Sequence, residues 1–199
     1  MTIIPLTHKH AHAYIIDDDD TKIMFDAGWP SSFPVFKNIM RENGIVPGEI
    51  KYLVVSYFHP DHAGIVQIMK DHGTTLLLHE CQKEAATQIN SFFIKHPDEA
   101  YCSLVSGGNH VITTDESQTL LREIRFCGEI IPTPGHSADS VSLVMDRDCA
   151  FTGDLPPLET ASMWDGSAVS KSWRDILSHG IKTVYPAHGL SYAVPHGDA

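Results

Sequence analysis

The chain has 199 residues, 42% of them hydrophobic, which is enough to bury a core and excludes a disordered or collagen-like chain. Fourteen Lys and Arg stand against 25 Asp and Glu, a formal net charge of −11, so a phosphate backbone is repelled and nucleic acid is not an expected partner. Four cysteines, Cys81, Cys102, Cys127 and Cys149, form no C-x-x-C pair, which argues against a disulfide framework or zinc ribbon and for reduced thiols in a cytoplasm.

No segment approaches the ~20 apolar residues that span a bilayer, and none resembles an export signal, so an unexported cytoplasmic protein with no membrane partner is expected. Apolar runs at Ala13 to Ile16 and Lys22 to Phe25 predict two strands, with the acidic run Asp17 to Asp20 as the solvated turn between them. A helix follows over Phe33 to Asn43, closed by Gly44, then a strand at Tyr52 to Ser56 and a helix at His62 to Asp71 before Gly73. Thr75 to Leu78 reads as a strand and Glu80 to Asn90 as a helix. Ser91 to Gln118 is the least regular stretch and reads as a lid or substrate-covering insertion. Strands are then expected at Arg122 to Phe126, Glu129 to Ile131, Ser140 to Met145 and Cys149 to Thr152, followed by a helix at Lys171 to Ser178 and a strand at Thr183 to Tyr185. This order predicts a single α/β domain over 1–199, two sheets packed together with helices outside.

The count of 13 His is high for this length, and some of them stand in ligand-like settings. Ser56-Tyr57-Phe58-His59-Pro60-Asp61-His62 leaves the end of a predicted strand, so two imidazoles and a carboxylate emerge together from a rigid edge. Three later fragments each offer one ligand-type side chain beside a glycine or proline: Pro134-Gly135-His136, Thr152-Gly153-Asp154 and Pro186-Ala187-His188-Gly189. Mixed imidazole and carboxylate donors suit borderline metals such as zinc.

These four fragments, in this order, together with the turn Phe25-Asp26-Ala27-Gly28, make the chain resemble the metallo-β-lactamase-fold hydrolases, whose signature is H-x-H-x-D-H followed by separate His, Asp and His positions. The resemblance covers nearly the whole chain and implies an α/β protein of the αββα four-layer sandwich type. Carried over residue by residue, it implies that His59 and His136 belong to a first metal position and that Asp61, His62 and His188 belong to a second. Asp154 would bridge both, with Asp26 supporting a ligand from behind. One or two transition-metal ions are implied, zinc or iron, with manganese as a further candidate.

The chain departs from the signature at its first His, where it has Tyr57. A phenol with an ordinary pKa near ~10 must lose its proton before it ligates. Three roles stay open for Tyr57: a phenolate ligand, a hydrogen-bond donor to substrate, or a packed residue beside a weakened position. The expected function is hydrolysis of a small ester, thioester, lactone or phosphoester by a metal-bound hydroxide, with Asp61 orienting the nucleophile and Tyr57 assisting catalysis. The alternatives are an iron-dependent oxidoreductase of the same fold, of dioxygenase or diiron type, and a non-catalytic metal-binding sensor. A small-molecule substrate is the expected partner, and oligomeric state is not legible. Eleven residues follow His188, so a stand-alone core without the helical appendage of glyoxalase II is expected.

Other residues carry blander expectations. His8, His10 and His12 alternate and would share one face of a strand, facing solvent. Trp29, Phe33 and Phe36 pack the first helix or wall a pocket. Met163 and Trp164 are candidate substrate contacts, the remaining six His, among them His79 and His196, are read as surface or satisfied core groups, and the cysteines as small packed residues, with exposure open for Cys102 in the irregular stretch.

Overall fold

The computed structural model describes residues 1–18, 20–164 and 166–195, with only the backbone described at 161, 162 and 164. The expectations for Asp19, Trp164 and His196 lie outside the described residues. The chain divides into two compact units, Met1–Ile112 and Thr113–Ala199.

In the first unit, β1 (Thr2–His8) and β2 (Ala11–Asp17) pair antiparallel with Thr7 opposite His12 and His8 opposite Ala11. The three alternating histidines therefore share no strand. His8 ends β1, His10 is in the turn and His12 begins the return, because Lys9 and His10 both take positive φ, 51° and 66°, as a two-residue hairpin turn requires. That turn normally announces itself with Asn or Gly, and its absence from the sequence hid β1. Next, β3 (Lys22–Phe25) pairs antiparallel with β2, and the Lys22 ammonium lies 3.3 Å from the Asp17 carboxylate across the acidic turn.

From β3 onward the sheet is parallel. α1 (Phe33–Glu42) leads to β4 (Ile50–Val54), α2 (Val66–Asp71) to β5 (Thr75–His79), and α3 (Lys83–Lys95) toward β6 (His110–Ile112). The spatial order is β1-β2-β3-β4-β5-β6. Parallel neighbours expose their C-terminal ends at one edge, so Asp26, Ser56 and His79, which follow or end β3, β4 and β5, lie along that edge. Met24, Phe36, Met40, Leu53, Val55 and Met69 fill the core beneath. Phe36 is thus a packing residue, and Phe33 packs partly buried against the same cluster.

The irregular stretch is shorter than expected and is fastened to its own unit. Its first residues extend α3, and the Asn90 amide then accepts from Tyr101 Oη (2.7 Å) and Leu104 N (2.8 Å) while donating to Leu104 O (2.9 Å). Lys70 Nζ donates to Val105 O, Gly107 O and Asn109 Oδ1 within 2.5 to 2.8 Å, and Gln67 accepts from Val105 N. Backbone groups of a loop are here satisfied by side chains of α2 and α3, the arrangement of a pinned connection rather than of a lid.

The second unit opens with α4 (Thr114–Glu123), which begins inside the stretch expected to be irregular and runs into the strand expected at Arg122 to Phe126. Thr113 caps it reciprocally: its Oγ1 accepts from Glu116 N (3.3 Å), and Glu116 Oε2 accepts from Thr113 N (2.8 Å). The sheet then forms from β7 (Gly128–Pro132), β8 (Val141–Met145), β9 (Cys149–Gly153), β10 (Thr183–Pro186) and β11 (Tyr192–Ala193), with α5 (Ala168–Ser178) between β9 and β10. The order is β11-β10-β9-β8-β7, with β9 and β10 parallel and the other pairs antiparallel. Val144, Ala150, Val169, Trp173, Ile176 and Val184 form the core of this unit.

All four cysteines are free, but only Cys149 packs as expected; Cys81, Cys102 and Cys127 are exposed. Burial pushes the Cys149 thiol up to about 12, with Asp148 adding to the shift. A thiol reagent at pH 8 should therefore modify three cysteines in the native protein and the fourth only after denaturation. The sign for stability follows. The raised thiol favours the folded state fully below its ordinary value near 9.0, and that contribution is lost as pH rises from there toward about 12. Denaturation midpoints measured across this range test it.

Candidate functional site

In the first unit the site is built on Asp26, which is 1% exposed and holds φ at 63°. Asp tolerates this left-handed conformation better than most residues. Its backbone N–H donates to Val54 O (2.8 Å), tying the end of β3 to the end of β4. Its carboxylate accepts three bonds: from Ser56 N at Oδ1 (2.7 Å), and from Ser56 Oγ (3.0 Å) and His62 Nδ1 (2.9 Å) at Oδ2. A carboxylate that accepts from Nδ1 fixes the proton there, so the Nε2 lone pair of His62 is directed away from Asp26. Asp61 Oδ2 lies 3.6 Å from that Nε2.

Close backbone contact holds this geometry. Ala27 N donates to His62 O (2.6 Å), Gly64 N to Gly28 O (2.7 Å) and Ile65 N to Ala27 O (3.1 Å). A Cβ on Gly64 would come within 2.3 Å of Pro30 N and Trp29 C, so only glycine permits the approach. Tyr57, 1% exposed, lays its ring against His59 and His62, with centroids 4.5 and 4.3 Å apart. Gln82, fully buried, donates from Nε2 to Val55 O (2.9 Å) and Ser56 O (3.2 Å), fixing the backbone from which Tyr57 departs.

In the second unit, β7, β9 and β10 run in one direction and end at one edge. Gly153 ends β9 at φ 56°, and Ala187 N donates to Gly153 O (2.9 Å), so Asp154 and His188 leave neighbouring strand ends together. His136 arrives on the loop after β7, where Thr133 N donates to Ser140 O (2.8 Å) and Pro134 O accepts from Ser172 Oγ (2.9 Å) on α5. The two imidazoles flank the carboxylate: His136 Nε2 is 3.8 Å from Asp154 Oδ2 and His188 Nε2 is 3.4 Å from Oδ1. A cavity of about 640 Å³ opens beside them, walled by Leu155, Pro186, Leu190 and Tyr192 among others, with Glu159 in its lining.

The residues singled out in the sequence thus fall into two groups, Tyr57, His59, Asp61 and His62 in one unit and His136, Asp154 and His188 in the other. The resemblance anticipated Asp26, but not that Ser56 shares its carboxylate. Gln82, Glu159 and Tyr192 were not anticipated, since nothing in a lone Gln, Glu or Tyr marks it before the chain is folded. His79 is a buried histidine, as read, and its Nδ1 lies 3.1 Å from Cys81 Sγ.

The family model of the metallo-β-lactamase superfamily matches residues 6–188. The chain is 23% identical over 190 residues to the beta-lactamase-like protein 2 homolog of Caenorhabditis elegans, covering 93% of this chain and 58% of that protein. It is 24% identical over 182 residues to the lactamase-like protein nscB of Arthroderma benhamiae, covering 89% of this chain and 36% of that one. The chain therefore spans about half the length of these relatives. Among solved structures, a subclass B3 metallo-β-lactamase isolated from a soil metagenome library superposes with a TM-score of 0.68 at 17% identity, over 94% of this chain and 75% of that one. Matched from β1 to the loop that carries His188, the chain belongs to the metallo-β-lactamase superfamily, whose members are mostly metal-dependent hydrolases, and has its α/β fold of the αββα type.

Proposed function

We propose that the chain is a metal-dependent hydrolase of a small ester, thioester, lactone or phosphoester, with His59, Asp61, His62, His136, Asp154 and His188 as metal donors and one or two zinc or iron ions as cofactor. The observation that carries this reading is the pair of imidazole Nε2 atoms flanking the two oxygens of Asp154. The donor chemistry fits a borderline metal. Asp154 sets two carboxylate oxygens beside two imidazole nitrogens, a mixed donor set, and His62 has its tautomer set by Asp26 in the way that orients histidine ligands. Such an ion, when bound, supplies Lewis acidity and an activated water at neutral pH. The chain's own residues do the rest: Asp61 orients the attacking water, and Tyr57 assists from its place against His59 and His62. The reading includes a cytoplasmic location and a small-molecule partner. The acidic balance supports the latter, and no helix among the described residues is long and apolar enough to cross a membrane.

Elemental analysis of protein purified without added metal tests the cofactor, and between one and two ions per chain are expected. Chelation should abolish turnover of a small ester and added metal should restore it, while a serine-directed acylating reagent has no effect. Chelator-insensitive turnover overturns the reading, and oxygen consumption by iron-loaded protein would replace hydrolysis with redox chemistry. Tyr57→His restores an imidazole where the family signature has one and should raise metal content toward two per chain.

A further inference from the structure

We infer that the cavity beside Asp154 accepts substrates with an apolar body that is uncharged or cationic, and that Glu159 sets this preference. This rests on the hydrolase reading and narrows it to esters, thioesters or lactones without an anionic group in the part of the molecule the cavity holds.

The cavity has the size of a small-molecule site, about 640 Å³. Its walls are carbon-rich, from Leu155, Pro157, Pro186, Leu190 and the Tyr192 ring. Among the described residues its charged or ionisable lining consists of His136, Asp154, His188 and Glu159, with the Tyr192 phenol, and contains no Lys or Arg. The sequence explains why. The segment from Asp154 to Ser167 and the segment from Ala187 to Pro195 contain no basic residue other than His188, while the first carries Asp154, Glu159 and Asp165. The basic residues that lie between these segments are Lys171 and Arg174 on α5, His179, which stands against Glu129 and Asp146, and Lys182 just before β10; Arg174 is turned to Ser170 Oγ at 3.4 Å.

Glu159 is held in relation to the cavity by the backbone beside it. Leu158 N donates to Tyr192 Oη (3.4 Å), which ties the turn carrying Glu159 to β11. Burial holds the Tyr192 phenol above its ordinary range. The Leu158 N–H works against this and the Glu159 carboxylate adds to it, so the Glu159 charge is felt at the cavity wall. Asp154 is committed to the metal in the proposed reading, so a substrate carboxylate placed against the Tyr192 wall meets the Glu159 carboxylate and, among the described lining residues, no Lys or Arg to pair with it. An ammonium meets Glu159 favourably, and an alkyl group meets carbon.

The test uses the protein as purified with its metal and three p-nitrophenyl esters of equal acyl length, ending in methyl, trimethylammonium or carboxylate, together with the corresponding unreactive amides as binding probes. In the wild type, kcat/KM for the ammonium ester should exceed that for the carboxylate ester by about fivefold or more, a modest factor because Glu159 is exposed and screened. Glu159→Gln should bring the ammonium ester down to the methyl ester, and Glu159→Lys should reverse the order. The amides should bind in the same charge order, read by calorimetry. Equal turnover of all three esters, or a wild-type preference for the carboxylate, overturns the inference and leaves the hydrolase reading standing. Charge-ordered binding of the amides without turnover of any ester overturns the hydrolase reading and supports the cavity assignment. Failure of both turnover and binding overturns both.

Discussion

Asp154→Ala is expected to lose most of the metal that the wild-type protein retains through gel filtration, with apparent affinity lower by more than about 100-fold. The carboxylate brings an oxygen within 4 Å of each of the two imidazole Nε2 atoms, His136 and His188, that the second unit contributes. Alanine leaves His136 and His188 with no carboxylate between them, and takes from the proposed donor set the one residue that the family resemblance shares between both metal positions. Folding should survive, because Asp154 stands beyond the end of β9, whose ladder with β10 and the Ala187 N to Gly153 O bond do not involve its side chain. Metal per chain is measured by elemental analysis and folding by circular dichroism and melting temperature. Retention of the full metal content by a folded Asp154→Ala protein overturns the ligand assignment.

What could be read in the sequence was what local chemistry writes into it. Strands β3, β5, β7, β8, β9 and β10 announced themselves as short apolar runs, and α1 and α5 by their apolar period and closing glycines. Boundaries slipped where the chain leaves a strand still apolar: Val55 and Ser56 were read as strand, but the backbone there already turns toward Asp26. The hairpin of β1 and β2 was lost because Lys9 and His10 adopt positive φ without the residues that usually signal it. By contrast, α4 was missed although its signal was present: Thr113-Thr114-Asp115-Glu116 is a capping box, outweighed in the reading by the β-branched and aromatic residues around Ile124 and Phe126.

The site was legible to the extent that it is carried by residue types with few other uses. Histidines and aspartates flanked by glycine and proline at strand ends stand out against a background of apolar strands. Their supports do not. Gln82 holds two carbonyls from a distant helix start, and Glu159 faces a cavity that exists only once β9, β10 and β11 have paired. Neither spacing nor composition encodes such contacts, since they depend on loops that return to one sheet edge from opposite sides of a long crossover.

The second large effect is expected at Asp26, where alanine and asparagine should fail in different ways. Alanine removes the acceptor for three buried donors, Ser56 N, Ser56 Oγ and His62 Nδ1, and places an ordinary residue at φ 63°. An orphaned buried donor costs about 1–3 kcal/mol and the strained backbone about 1 kcal/mol, so a loss of roughly 4 kcal/mol is expected after allowing for non-additivity. That is a large part of the stability of a domain this size. Asparagine tolerates the backbone but has one acceptor oxygen, whereas Asp26 uses both of its own. With that oxygen kept on Ser56 N, the amide nitrogen faces His62 Nδ1, which can then only accept. The imidazole proton moves to Nε2 and covers the lone pair assigned to the metal. Asp26→Asn should therefore fold with a modest loss of melting temperature, show His62 in the other tautomer by nitrogen NMR, and bind metal about 10- to 100-fold more weakly. Wild-type metal affinity in a folded Asp26→Asn protein would mean that Asp26 holds the two strand ends together and does nothing for the metal.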